Sequence, residues 1–145
     1  MAEQLESPAI LSQALGALAI VLDGRSLLQE QLQVAQQRLA VCKDAQLGDI
    51  SAGDRNVENF RERIESLRSA GAALASVGEY EQAMLPLREA ENLALHAQVV
   101  DQQANAIGLQ VLCNYRLDRW DEVLAGEEKW RELERRYSRE RVGAT

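Results

Sequence analysis

Apolar residues along this 145-residue chain return every three or four positions, and no stretch alternates with the period of two that a half-buried strand requires. Ser7 is a good N-cap, and Pro8 follows in the first-turn position where its missing N–H costs nothing, so a first helix is predicted to about Leu22. Asp23-Gly24-Arg25 is a turn, after which Ser26 can cap a second helix whose Leu27, Leu28, Leu32, Ala35 and Leu39 share one face as far as Lys43. Asp44 to Arg55 carries Gly48, Ser51, Gly53 and several aspartates, so it reads as the longest loop and the most flexible point. A third helix from about Asn56 to Val77 sets Phe60, Ile64, Leu67, Ala70, Gly71 and Leu74 on one side. Arg61, Glu62, Arg63 and Glu65 fall largely on the other. Gly78-Glu79 ends it, and further helices are predicted over Tyr80 to His96, Asp101 to Arg116 and Asp118 to Tyr137, with Asp101 and Asp118 as N-caps. Connections this short fold successive helices back on one another, giving antiparallel hairpins over 8–43, 56–96 and 101–137 within one domain, 1–145.

Composition narrows the core before it narrows the function. Hydrophobic residues make up 46% of the chain but aromatic rings only 4%, so Leu, Ala and Val must fill the interior, and an all-α fold is expected. A net charge of -7 repels phosphate backbones and argues against nucleic acid as a partner. Glu3 and Glu6 stand where a secretory signal needs a positive n-region, and the apolar run from Pro8 to Leu22 is shorter than a bilayer span of about 20 residues. No export and no membrane partner are expected. Cys42 and Cys113 are isolated, too sparse for a disulfide framework or a zinc site, which fits a reducing cytoplasm.

The chain also resembles itself. A shift of 40 residues superposes Gly78-Glu79-Tyr80-Glu81-Gln82-Ala83 on Asp118-Arg119-Trp120-Asp121-Glu122-Val123, and pairs Ala73 with Cys113 and Ala90 with Trp130. A shift of 55 matches Gly71 to Gly16, Ala70 to Leu15, Ala83 to Leu28 and Ala90 to Ala35, the extra 15 residues corresponding to the long loop. Ala70-Gly71, Leu74, Gly78, Tyr80, Ala83 and Ala90 then resemble the small, large and aromatic positions of the tetratricopeptide repeat. The period is similar to that of its longer variant of about 40 residues in bacterial regulatory and signalling proteins. The resemblance is strongest from Arg63 to Trp130. Arg25, Asp23 and Val111 depart from it, and a compact six-helix bundle is the alternative architecture.

That resemblance implies a short right-handed solenoid of stacked hairpins, a scaffold presenting a concave surface to a peptide or protein segment. Carried over by position, the hollow is lined by Glu65, Arg68, Ala72 and Ser76 of the second hairpin and by Asn105, Gly108, Leu112 and Arg116 of the third, with Tyr115 alongside. Gln13 and Ala17 come from the first. Arg68, Asn105, Tyr115 and Arg116 are the partner-binding residues so implied, Arg68 and Arg116 for a carboxylate, Asn105 for a backbone and Tyr115 as a rigid ring. The family's carboxylate clamp of lysines and asparagines is not reproduced. The loop from Asp44 to Arg55 and the end near Trp130 are the other places for a binding surface.

Candidate chemistry is sparse. His96 is the sole histidine, which excludes a His-pair metal site, and it is expected at an exposed helix end. Cys42 and Cys113 read as buried thiols without a base, and Glu127-Glu128 and Asp121-Glu122 as solvated charge. Neither glycine-rich phosphate loop occurs, so the expectation is no enzyme, no cofactor and no metal. In the tail, Arg131, Arg135, Arg136, Arg139 and Arg141 alternate with Glu128, Glu132, Glu134 and Glu140 as an internally compensated surface. Trp120 is expected in the core, and Trp130, which replaces Ala90, fills a larger gap or awaits another helix pair. An uncapped end after Trp130 and Leu133 suggests a homodimer or the continuation of a longer array. A regulatory or structural helical piece of a larger signalling or transcription-regulating protein is the alternative function.

Overall fold

The computed structural model describes residues 7–24 and 27–143, and among them every regular element is helical. The six helices of the described residues are α1 (Pro8–Gly24), α2 (Leu28–Asp44), α3 (Val57–Ser76), α4 (Tyr80–Ala97), α5 (Val100–Arg116) and α6 (Trp120–Gly143). None is long and apolar enough to cross a membrane. Ser7 caps α1 as expected, its Oγ accepting from the amide of Ile10 at 3.3 Å. Asn56 caps α3, its Oδ1 accepting from the amides of Glu58 and Asn59. Arg25 and Ser26, the expected turn residue and cap before α2, lie outside the described residues.

Asp101 and Asp118 do not cap helices. α5 starts at Val100, so Asp101 sits within its first turn, where its negative charge still favours the helix N-terminus. α6 starts at Trp120, and Asp118 instead adopts the left-handed conformation, φ 58°, at the turn. Gly78, 40 residues earlier, has φ 85°. Both turns close with the same pair of hydrogen bonds, Glu79 N–H to Leu74 C=O and Gly78 N–H to Ala75 C=O in one, Arg119 N–H to Asn114 C=O and Asp118 N–H to Tyr115 C=O in the other. This is the Schellman ending, and aspartate is among the few side chains that tolerate its left-handed residue. α2 and α4 end the same way, with Gln46 and Gln98 in the left-handed position. The same ending thus recurs at four helix ends of the described residues, Gly78 and Asp118 included.

The helices pack in chain order, each on the next, and α1 meets α3 as α3 meets α5. Sequential contacts with odd helices side by side describe three hairpins in a row. Within each hairpin one glycine receives a large side chain from the paired helix. A Cβ on Gly71 would stand 2.5 Å from Leu87 Cγ, one on Gly16 would stand 2.7 Å from Arg38 Nη1, and one on Gly126 would stand 2.6 Å from Val111 Cγ2. Val111, a departure from the expected pattern because it replaces the glycine of the odd helix, is thus compensated by a glycine on the even helix. Two clusters form the core. Phe60, Ile64, Leu67, Ala90, Ala94 and Ala106 build one, and Leu74, Ala83, Met84, Leu87 and Cys113 the other.

Four further expectations need correcting. α6 continues to Gly143, past the anticipated end at Tyr137, because its Arg and Glu residues pair along the helix: Arg135 with Glu128 and Glu132, and Arg139 with Glu132. Trp120 is half-exposed, edge-on to Tyr115 with ring centroids 5.3 Å apart, since among the described residues no hairpin covers the third one as the third covers the second. Glu62 is buried because its carboxylate pairs with Arg38 of α2. The stretch after α2, expected as the flexible point, is tied down. Asp54 accepts from the amides of Asn56 and Gly48, each at 2.9 Å, and from Asn59 Nδ2 at 3.0 Å. Arg63 Nη1 donates to the carbonyl of Leu47. Gly48, at φ 65°, lies against α3, where a Cβ would sit 2.9 Å from the carbonyl oxygen of Asn59.

Two tests follow from this packing. Gly126→Ala should destabilise the chain by about 1–3 kcal/mol in urea unfolding through overpacking against Val111. Val111→Ala combined with Gly126→Ala should recover most of that loss, whereas equal instability of single and double variants would mean the contact does not limit packing. The second concerns pH. The amides of Asn56 and Gly48 outweigh burial and hold the Asp54 carboxyl below its usual 3.8. A depressed folded-state value stabilises above the unfolded one and is lost as pH falls through it. The stability advantage of the wild type over Asp54→Asn should therefore be full at neutral pH and shrink below pH 3.8; a gap independent of pH would contradict it.

Candidate functional site

Small residues leave a hollow where the first hairpin meets the second. Gly16 and Ala17 on α1, Ala35 on α2 and Ala72 on α3 project little side chain between the helices, and a cleft of about 580 Å³ opens there. Ile20 adds apolar wall, while Gln13, Gln31, Arg68, Ser69 and Ser76 supply polar groups at its margins. Of the residues implied for a concave surface, Gln13, Ala17, Glu65, Arg68, Ala72 and Ser76 all line this one cleft. Those of the third hairpin do not join them. Asn105 and Arg116 are exposed on α5, Gly108 and Leu112 also face solvent, and Tyr115 packs on Trp120 at the far turn.

The electrostatics of the cleft centre on one ion pair. Arg68 Nη2 lies 2.8 Å from Glu65 Oε2, both groups being partly exposed. Burial by itself would raise the Glu65 carboxyl, but hydrogen bonds from Arg68 and Gln102 prevail and hold it below the usual carboxylate range. Arg68 Nε and Gln31 Oε1 have no hydrogen-bond partner. Ser76 Oγ is engaged locally, donating to the carbonyl of Ala72.

Beneath the cleft lies a polar network that the hydrophobic pattern did not disclose. Arg38 Nη2 is 2.8 Å from Glu62 Oε1, both side chains being buried, and Arg38 Nε donates to Ser12 Oγ at 3.1 Å. Ser12 Oγ in turn donates to Glu62 Oε1 at 2.5 Å, and Arg38 Nη1 donates to Ser69 Oγ at 3.2 Å. Cys42 Sγ stands 3.4 Å from Ser12 Oγ. The network joins α1, α2 and α3 behind the cleft wall, and its guanidinium occupies the notch left by Gly16. One signal was present in the sequence: Arg38 falls three residues after Ala35 and four before Cys42, on the buried stripe of α2.

The remaining candidates separate cleanly. Cys42 and Cys113 are both free and buried, and burial pushes the Cys113 thiol up, away from reactivity. His96 is exposed at the end of α4, edge-on to Phe60 at 6.1 Å. Trp130 borders a small apolar pocket of about 120 Å³ with Val100, Ala104, Leu133 and Tyr137. Among the described residues no three His, Cys, Asp or Glu side chains gather as a metal ligand set. No protein-family model, no curated protein and no solved structure matches the chain significantly.

The buried pair makes a sharp prediction. Glu62→Ala and Arg38→Ala should each lower unfolding free energy by about 3–5 kcal/mol, because each strands the other's charge in the interior. Arg38→Met with Glu62→Met should be milder than either single change. A double variant as unstable as the sum would show that the two side chains act independently.

Proposed function

We propose that the chain is a protein-binding module that seats a short peptide segment in the cleft between α1, α2 and α3. The observation that carries this reading is the convergence of a hollow floored by Gly16, Ala17, Ala35 and Ala72 with polar groups at its rim. Its volume suits a few small apolar side chains, and Arg68 and Gln13 stand where hydrogen bonds can fix their orientation. Glu65 already holds one edge of the Arg68 guanidinium, so the arginine is oriented before a ligand arrives, which lowers the entropic cost of binding. The walls carry no histidine or thiol, and a carboxylate held ionised by its arginine suits recognition better than general acid catalysis. The reading as a tetratricopeptide-like scaffold draws on the residue matches at the 40-residue shift and on the packing of the helices in chain order. A reducing, cytoplasmic setting suits the two buried free thiols.

Peptides selected by display on the immobilised protein provide the test, with affinities measured by calorimetry. Ala72→Trp, which fills the hollow, and Arg68→Glu, which reverses its rim charge, should each weaken binding at least tenfold, about 1.4 kcal/mol. Arg116→Glu and Tyr115→Ala should leave it unchanged. Loss of binding in the latter two with retention in the former would move the surface to α5.

A further inference from the structure

The repeat gives the three hairpins equivalent faces, and two of those faces are uncovered among the described residues. Where α5 docks on the second hairpin, Leu109 and Cys113 pack against Leu74, Ala75, Ala83, Met84 and Leu87. Forty residues on, the corresponding surface of the third hairpin carries Asn114, Tyr115, Val123, Leu124 and Glu127 in place of Leu74, Ala75, Ala83, Met84 and Leu87. Ala75 and Met84 are 9% and 3% exposed, whereas Tyr115 and Leu124 are 51% and 64% exposed. Trp120, the counterpart of Tyr80, stands beside them. Residues of the size and character that close a hairpin interface thus lie open at the third hairpin.

The complementary face is on α1. The docking positions Ala106, Leu109 and Cys113 of α5 correspond to Ser66, Ser69 and Ala73 of α3 and, at the 55-residue shift, to Leu11, Ala14 and Leu18 of α1. Ala73 and Cys113 are buried against the preceding hairpin, but Leu18 is 45% exposed and Ala14 is also exposed. Val21, one step further along, is 52% exposed. Leu11, Ala14, Leu18 and Val21 recur at alternating spacings of three and four, one apolar stripe of a helix. From Pro8 to Leu22 the helix bears no charged side chain, although the protein as a whole carries -7. A stripe without charge adds no like-charge contact of its own when a second acidic copy approaches.

We propose that copies of this chain associate head to tail, the Leu11–Ala14–Leu18 face of α1 docking on the Tyr115, Trp120 and Leu124 surface of the next copy and continuing the hairpin stack across the molecular boundary. The contact joins two different surfaces, so it propagates into chains or a closed ring and does not stop at a symmetric dimer. The small Ala14 leaves room on the α1 face, and Trp120 and Tyr115 supply the rings that fill the junction. The exposed positions of both faces become buried as their internal counterparts are.

Two single-face variants of the whole chain decide the matter by sedimentation velocity. Ala14→Glu with Leu18→Glu disables the α1 face, and Tyr115→Glu with Leu124→Glu disables the receiving face. All four positions are exposed, so circular dichroism and the thermal transition should stay close to wild type. The wild-type protein should form species larger than a dimer as concentration rises, each variant alone should be monomeric, and an equimolar mixture of the two should give a one-to-one complex and nothing larger. A wild type that stays monomeric into the millimolar range overturns the proposal. So does a receiving-face variant that still dimerises alone, which would indicate a symmetric contact between two α1 helices.

Discussion

Close approach at one glycine per hairpin is the constraint on which the rest of this structure depends. An interior nearly without aromatic rings can be dense only if its helices come close, and each pair achieves this by setting a glycine opposite a large side chain. The direction of the contact is not fixed. In the second hairpin the even helix supplies Leu87 to Gly71 of the odd helix, and in the third the odd helix supplies Val111 to Gly126 of the even one. A glycine meets a branched side chain in both pairs while the sequence pattern inverts, which is why Val111 looked like a departure until its partner was known.

In the first hairpin the side chain received by the glycine is Arg38, and this one choice organises the neighbouring hairpin. A buried guanidinium must be neutralised and its donors satisfied. Glu62 supplies the charge from α3, while Ser12 and Ser69 accept from the remaining donors. The polar network therefore fixes α3 against α1 and α2 at a defined distance, and the cleft above it inherits its shape from that spacing. A purely apolar interface there would tolerate sliding; directional hydrogen bonds from three helices do not.

Much of this was legible in the sequence because helix periodicity and turn chemistry are local. The six helices and the cap at Ser7 follow from spacing; Gln13, Ala17, Glu65, Arg68, Ala72 and Ser76 line one cleft, whereas Asn105, Tyr115 and Arg116, expected on the same surface, lie outside it. What stayed hidden depends on partners distant in the chain. Glu62 reads as surface on its own helix and is buried only because Arg38 lies opposite it, 24 residues away. Asp118 reads as a cap because aspartate favours both caps and left-handed turns, and the choice is made by the Schellman hydrogen bonds around it. Trp120 reads as core because it aligns with Tyr80 at the aromatic position of the repeat; Tyr80 is partly buried, but burial at that position requires a following hairpin.

Amide chemical-shift mapping on the isotopically labelled chain tests the proposal that the α1–α2–α3 cleft seats the ligand. On titration with a selected peptide, the amides of residues 13–20, 31–38 and 65–76 should shift together with a single saturating affinity. Shifts confined to residues 44–55, or to the surface formed by α5 and α6, would contradict it.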